Sequence, residues 1–134
     1  MILDNDLIQK INFFEKLTKA KVKDVFRFDS LWIIVGFGEL GKAVGKKGAN
    51  IKKFSELVNE KVKIIEFNKE PTMFLRNILM PLKLEKIQMN DGKIEIETDR
   101  KTKGLLMGKN QKNLKDYSKV FNKYFKYELI IKNG

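Results

Sequence analysis

The stretch GELGKAVGKKGANIKKF, residues 38–54, decides the fold because a helical pattern is interrupted once within it. Gly45-Lys46-Lys47-Gly48 stands at the interruption, and two glycines three positions apart allow a tight turn and a close approach of another chain. The helix that follows begins at once, so its unpaired N–H groups and positive dipole end face the loop. The two lysines add mobile positive charge. Close approach, N–H donors and cations are what a sugar–phosphate backbone requires.

Apolar periodicity around this loop predicts a leading helix, two strands, a helix after the loop and a third strand. The leading helix covers residues 6–20, with Asp4 or Asn5 as its cap. Its apolar face carries Leu7, Ile8, Ile11, Phe14 and Leu17. The strands are expected at 21–28, 31–37 and 61–67. The helix over 49–60 has a stripe of Ile51, Phe54, Leu57 and Val58.

The same order of elements then starts again in the second half. A helix over 70–80 opens at Pro71, where a missing N–H is tolerated. Two strands, 82–89 and 93–99, form a hairpin around Asn90-Asp91-Gly92, which is a strong turn signal. A basic segment with two glycines follows, and then a helix and a last strand at 127–131. The apolar face of that helix carries Leu114, Tyr117, Val120, Phe121 and Tyr124.

The two halves are an internal repeat with an offset of 63 positions. This offset pairs residues of the same type: Gly45 with Gly108, Gly41 with Gly104, Lys46 with Lys109, Asn50 with Asn113, and Lys52 with Lys115. It also pairs Ile51 with Leu114. We therefore expect an α+β fold of two tandem domains, 1–69 and 70–134. Each has the order helix, strand, strand, helix, glycine loop, helix, strand, with a three-stranded sheet and helices on one of its faces.

A GxxG loop between two helices, flanked by strands, resembles the KH domain, whose loop clamps about four nucleotides of single-stranded RNA. The leading helix and the two strands before the loop resemble the type II KH arrangement. Two such units in tandem look like the KH pair of NusA, and the chain as a whole resembles the archaeal NusA-like proteins. The resemblance implies single-stranded RNA binding and a role as a transcription termination or antitermination factor. RNA polymerase or the ribosome would be a further partner.

The resemblance places the RNA-binding site at the loop of each unit and on the helix that follows it. The candidate residues are Gly45, Lys46, Lys47, Gly48, Asn50, Lys52, Lys53, Gly108, Lys109, Asn110, Gln111, Lys112, Asn113 and Lys115. An apolar groove beside each loop would receive the bases. By resemblance, Val44, Ile64, Ile65, Met107 and Ile130 could contribute to it, although core packing accounts for most of them. Ile51, Leu114, Trp32 and the phenylalanines are expected in the core.

Two features of the candidate site leave alternatives open. The second loop reads Gly108-Lys109-Asn110-Gln111, with Gln where the family expects Gly, so it is either a degenerate scaffold or a weaker RNA contact. Gln111 would be strained in any left-handed backbone geometry. Asn50 and Asn113 are either solvent-facing helix residues or polar contacts to a sugar or a base edge.

Composition limits the function classes. The chain has 134 residues, with 28 Lys and Arg against 17 Asp and Glu and a net charge of +11. This positive charge favours a polyanionic partner. The alternative is a lysine-rich surface that is only solvated. The chain contains no Cys and no His, which excludes disulfides, thiolate or histidine metal sites and Ser-His triads. We expect a protein that is not an enzyme, with no catalytic residue, metal or cofactor.

The expected setting of the protein is the cytoplasm. No apolar run reaches the about 20 residues that span a membrane, so no membrane partner is expected. The amino end, MILDNDLIQK, is acidic where a signal peptide would be basic. A monomer is expected.

Three other functions are compatible with parts of this sequence. Gly36, Gly38 and Gly41 form a literal GxGxxG with Glu66 at the end of the next strand, as in a dinucleotide-binding unit. Glycines at 45 and 48 would break the helix of such a unit, the preceding strands read as a hairpin, and the second half lacks the triplet. A KH-fold ribosome-assembly factor would keep RNA as ligand. A KH-fold protein-docking module would not need the intact Gly-Lys-Lys-Gly.

Overall fold

Each half of the chain forms a three-stranded sheet with three helices, so the fold is mixed α+β as expected. The computed structural model describes residues 4–133. It divides into two units, Met1–Asn68 and Lys69–Gly134. The prediction for the acidic amino end falls partly on residues 1–3, which lie outside the described residues.

The first unit follows the element order that its sequence predicts. Its elements are α1 (Asn5–Thr18), β1 (Val22–Arg27), β2 (Leu31–Val35), α2 (Leu40–Val44), α3 (Ala49–Val58) and β3 (Val62–Glu66). A single 3₁₀ turn, Lys46–Gly48, lies between α2 and α3.

Helix α1 is delimited by its two ends. Asp4 is the cap, because its Oδ1 accepts a 2.8 Å hydrogen bond from the N–H of Leu7. The helix ends at Thr18, two residues earlier than predicted, because Lys19 adopts a left-handed conformation with φ 64°. The predicted apolar face is correct for Leu7 and Phe14, whereas Ile8 is 38% exposed.

The first sheet has the order β1-β2-β3, with β1 antiparallel and β3 parallel to β2, so β3 lies at an edge. Its core includes Phe14 and Phe54, whose ring centroids are 5.0 Å apart in an edge-on arrangement. Leu57 was predicted in the apolar stripe of α3 but is 60% exposed, while Phe54 is fully buried. A short helix presents a narrow buried face, and Leu57 lies outside it. Ile51 is half-buried.

The second unit repeats the order with different lengths. Its elements are α4 (Pro71–Leu79), β4 (Lys86–Asn90), β5 (Lys93–Thr98), α5 (Arg100–Met107), α6 (Lys112–Tyr124) and β6 (Glu128–Asn133). A 3₁₀ turn, Lys109–Gln111, separates α5 from α6.

The hairpin of the second unit is confirmed, but its first strand is shorter than predicted. Asp91 (φ 48°) and Gly92 (φ 73°) form the two-residue turn between β4 and β5. The predicted strand from residue 82 begins only at Lys86, because the N–H of Leu82 bonds the carbonyl of Leu79 in a turn that follows α4.

The second sheet has the order β4-β5-β6, with β6 parallel to β5 at an edge. Alternate residues of β5 are buried, which is the period of a sheet with one covered face. Phe74 of α4 and Phe121 of α6 are fully buried, whereas Leu114 is only half-buried. Within residues 4–133, no helix is long and apolar enough to cross a membrane.

Candidate nucleic-acid interface

The loop of the first unit is a tight turn that connects two helices. Helix α2 ends at Val44, and Gly45 follows with φ 78° and ψ 171°. Lys47 (φ 54°, ψ 30°) and Gly48 (φ 76°, ψ 15°) are both left-handed, and α3 starts at Ala49. The turn is closed by a 3.1 Å hydrogen bond from the N–H of Gly48 to the carbonyl of Gly45. The hydrogen bond that closes the turn uses the amide of Gly48 and not those of the two central lysines.

Gly45 is the position that only glycine can occupy. Its φ and ψ lie in a region that side chains essentially never adopt. A Cβ there would also lie 2.8 Å from Cγ and 2.9 Å from the main-chain nitrogen of Asn50. Gly48 is different, because a Cβ placed on it would have its nearest neighbour, an atom of Ile51, 3.9 Å away. At Gly48 the left-handed φ favours glycine, but there is room for a side chain.

The loop of the second unit has the same backbone conformation despite its different sequence. Gly108 has φ 70° and ψ 174°, Asn110 has φ 55° and ψ 30°, and Gln111 has φ 62° and ψ 22°. Gln111 therefore occupies the left-handed place of Gly48, as the sequence suggested, at about 1–2 kcal/mol for a residue with a side chain. Gly108 keeps the place where a Cβ would lie 2.6 Å from Cγ of Asn113.

Asn50 and Asn113 have a role that neither sequence alternative described. The side-chain amide of Asn50 donates to the carbonyl of Lys42 at 2.8 Å, and that of Asn113 donates to the carbonyl of Leu105 at 2.9 Å. Each amide thereby satisfies a carbonyl in the last turn of the helix before the loop, where helical partners are missing. Each asparagine braces its loop across the turn, and neither is merely a solvent-facing residue.

The predicted cations of the first loop are exposed. Lys46 and Lys47 are exposed, and neither forms an ion pair within residues 4–133. Lys52 and Lys53 are exposed on the first turns of α3. The structure thus brings four cations to one loop and the helix that follows it.

The predicted cations of the second loop are less available. Lys109 and Lys115 are exposed, but Lys112 is bonded to Asp116, with 2.7 Å between Nζ and Oδ2. Asn110 is exposed beside Lys109 and adds no charge. The first loop therefore offers more unneutralised positive charge than the second.

The edge strand β3 lies beside α2, the helix that leads into the first loop. The N–H of Leu31 bonds the carbonyl of Lys61, and the N–H of Phe67 bonds that of Val35, each at 2.9 Å. In a parallel ladder the bonded residues alternate, so the main-chain groups of Val62 and Ile64 point away from β2.

The apolar side chains proposed for the grooves are divided between core and surface. Ile65 is buried and Ile64 packs on the core cluster, which agrees with core packing. Val44, Met107 and Ile130 are half-buried.

The GxGxxG stretch begins with a loop that is held in place by hydrogen bonds to carboxylates of this chain. The N–H of Gly38 donates to Oε2 of Glu66 at 2.6 Å. Glu39 accepts from the N–H of Lys21 at 2.9 Å and pairs with Lys42 at 3.1 Å. The hydrogen bond from the N–H of Lys21 lowers the pKa of the Glu39 carboxyl most, and the contact with Lys42 lowers it further. The helix that follows has five residues, and β1 is antiparallel to β2, so this stretch lacks the long helix and parallel start of a dinucleotide-binding unit.

Sequence reasoning missed one feature of this region. Phe37 was expected in the core with the other phenylalanines but is 75% exposed. Its position between two glycines, at the end of a buried strand, was the signal. Among the described residues, no group of three His, Cys, Asp or Glu side chains is placed to hold a metal ion.

Comparison with known proteins identifies relatives over most of the chain. No model of a protein family matches it. It is 32% identical over 133 residues to the "Probable transcription termination protein NusA" of Methanocaldococcus jannaschii, covering 96% of this chain and 73% of that protein. Proteins of the same name from Methanococcus vannielii and Thermoplasma acidophilum are 29% and 24% identical, covering 84% and 96% of this chain and 68% and 92% of the relatives.

A solved structure supports the fold. The crystal structure of APE1850 superimposes with a TM-score of 0.70 over 97% of this chain and 100% of that one, at 22% identity, which is a likeness of fold. The identity and coverage of the first relative carry more weight. They show that this chain belongs to the family of archaeal NusA-like proteins.

Proposed function

We propose that this protein binds single-stranded RNA through its two glycine loops and acts as a transcription termination or antitermination factor of the NusA type. The observation that carries the proposal is the exposed Lys46-Lys47 pair on a turn fixed by Gly45 and Asn50. Two exposed cations beside a glycine surface suit a sugar–phosphate backbone. The name of the relatives supports the transcriptional role.

The second loop is proposed as a weaker contact to the same RNA. Its backbone follows that of the first loop residue by residue, which favours a binding loop over a degenerate scaffold. Its side chains differ, because Asn110 and Gln111 replace a lysine and a glycine. Gln111 therefore adds bulk where the first loop has none, and one cation is missing.

The remaining parts of the proposal follow the same reasoning. Each unit is a type II KH domain, supported by the element order and by β3 and β6 at the sheet edges. The protein works in the cytoplasm without catalysis, metal or cofactor, as a monomer that contacts RNA polymerase. A ribosome-assembly factor with the same RNA chemistry is the second candidate, and crosslinking in cells followed by sequencing of the bound RNA would distinguish them.

Fluorescence anisotropy with single-stranded and duplex RNA tests the proposal. We expect micromolar or tighter binding to the single strand and poor binding to the duplex, because an A-form duplex hides its base edges. With about −0.7 per neutralised phosphate and about four to six contacts, log K should fall against log salt with a slope of roughly −3 to −4. A slope near zero, or equal binding to duplex, would reject the basic loops as the binding site and favour a protein-docking module.

A further inference from the structure

Phe37 is the most exposed large apolar side chain in the described part of the chain, at 75%. It lies in the loop 36–39 between β2 and α2. We infer that Phe37 stacks on a nucleobase and extends the RNA-binding surface of the first unit beyond Gly45–Gly48. This inference rests on the proposed function, since it concerns the same RNA strand.

The loop that carries Phe37 is held by contacts on both sides. The N–H of Glu39 bonds the carbonyl of Gly36 at 3.1 Å, and Gly38 bonds the carboxylate of Glu66 at 2.6 Å. The carboxylate of Glu39 also accepts from the N–H of Lys21, just before β1. The backbone is thus tied to β1 and β3 and leads directly into α2. An aromatic ring on such a fixed backbone loses little freedom when it binds.

An RNA strand bound at the Gly45–Gly48 loop also reaches Phe37. Gly38, Glu39 and the five-residue helix α2 separate the two, and at 1.5 Å per residue α2 is about 7.5 Å in length. At the spacing of about 3.4 Å per nucleotide in one strand of a duplex, about two nucleotides match the length of α2 alone. The edge strand β3 runs beside α2, and Glu66 at its end holds the loop of Phe37. A strand clamped by Lys46 and Lys47 would place a base beside the ring.

The surroundings of Phe37 fit a base better than a protein partner. An aromatic anchor of a protein interface is normally encircled by contacts that exclude water. Phe37 has glycines on both sides. Apart from the chain neighbours of each glycine and the backbone of α2 around Gly41, no atom lies within 4 Å of where a side chain on Gly38 or Gly41 would start. The nearby side chains Glu39 and Lys42 are charged and paired with each other. An accessible ring with a polar border is what base stacking uses, and any base can supply the partner.

The equivalent place in the second unit lacks this feature. Asp99 follows β5 directly and caps α5, with Oδ1 accepting from the N–H of Thr102 at 2.7 Å. Arg100 stands at the position that corresponds to Phe37 and is already helical. Of the two units, only the first therefore has an aromatic residue at this place for base stacking.

Substitutions at residue 37 test the inference with a fluorescein-labelled, single-stranded oligo(A) of about twelve nucleotides. Phe37→Ala and Phe37→Leu should weaken binding about fivefold or more, whereas Phe37→Tyr should stay within about twofold. The slope of affinity against salt should not change, because no phosphate contact is removed. Leu57→Ala is the matched control, since Leu57 is an exposed apolar residue (60%) on α3 and should not affect binding. Thermal melting should be normal for all four variants.

The outcomes separate this inference from the proposed function. Normal affinity of Phe37→Ala, with weak binding when Lys46 and Lys47 are changed to Asp, rejects the stacking and retains the RNA-binding loop. Normal affinity of both rejects the RNA-binding function itself. If Phe37→Leu binds as tightly as Phe37→Tyr, the ring is not stacking. If Phe37→Ala loses a protein partner but no RNA affinity, the residue is a protein contact and the inference is wrong.

Discussion

The side-chain amide of Asn50 is bonded to the main-chain carbonyl of Lys42 at 2.8 Å, across the turn that separates α2 from α3. This bond holds the ends of two helices together, and the same atoms of Asn50 close the space above Gly45. The loop is therefore shaped by a residue outside the GxxG pattern. Asn113 does the same for the second loop through the carbonyl of Leu105.

We expect Asn50→Ala to lower the free energy of unfolding of the first unit by about 0.5–1.5 kcal/mol, because one hydrogen bond is lost. RNA affinity should fall more than stability suggests, since the loop loses its brace. Urea unfolding and anisotropy measure the two effects. Asn113→Ala is the control in the second unit and should affect RNA binding less. An Asn50→Ala protein with normal stability and affinity would show that the bond is dispensable.

Alanine at the two glycines of the first loop should have unequal effects. Gly45→Ala forces a side chain into a glycine-only conformation and against the nitrogen of Asn50, so we expect a loss of more than about 2 kcal/mol. Gly48→Ala has room and should cost about 1 kcal/mol for its left-handed φ. Thermal denaturation compares them. Equal destabilisation would contradict the geometry of the loop.

Replacing Lys46 and Lys47 by Asp should weaken single-stranded RNA binding at least ~10-fold, about 1.4 kcal/mol, with normal melting. Two cations become anions where phosphates must lie, and Asp tolerates the left-handed place of Lys47. The matched variant replaces Lys109 and Asn110 by Asp. It should weaken RNA binding by a smaller factor than the first variant, because the second loop starts with one cation. A larger loss from the second pair would reverse the assignment of the main binding loop.

We expect Lys63 to make the free energy of unfolding depend on pH in the alkaline range. Burial lowers its pKa from the usual 10.5 to about 8, and its Nζ lies 4.7 Å from the centroid of the Trp32 ring. Since the unfolded chain holds this proton up to a higher pH, stability should rise between about pH 8 and 10.5. The free-energy cost of burying the charged amine of Lys63 is fully present below pH 8. Lys63→Met should melt at a higher temperature at pH 7, and its advantage should shrink towards pH 10. A constant difference across this range would exclude Lys63 as the cause.

Much of the fold follows from local patterns in the sequence. Apolar periodicity located α1, α3 and α6, and Asn90-Asp91-Gly92 located the hairpin turn that the structure contains. Of the two caps expected for α1, Asp4 and Asn5, the structure contains Asp4. The limits of elements were harder to predict, because Lys19 ends α1 by a backbone conformation that its residue type does not favour.

The candidate site was predicted in position but not in detail. Both glycine loops lie between helices, as the repeat predicted. Strain at Gln111 was expected only if its backbone were left-handed, which it is. The role of Asn50 depends on a carbonyl eight residues earlier, and no local pattern reveals such a pairing. Phe37 shares its residue type with core residues, and only its loop makes it exposed.

The fixed pairing of each loop glycine with an asparagine changes which sequence signature identifies these domains. Of the nine glycines, only Gly45 and Gly108 have Asn five positions later. A search for GxxG, in contrast, finds the first loop, misses the second, and also selects Gly38-Glu39-Leu40-Gly41, which is no such loop. Diverged copies of this domain would thus be recognised better by glycine and asparagine five apart, with the residues between them left open to drift.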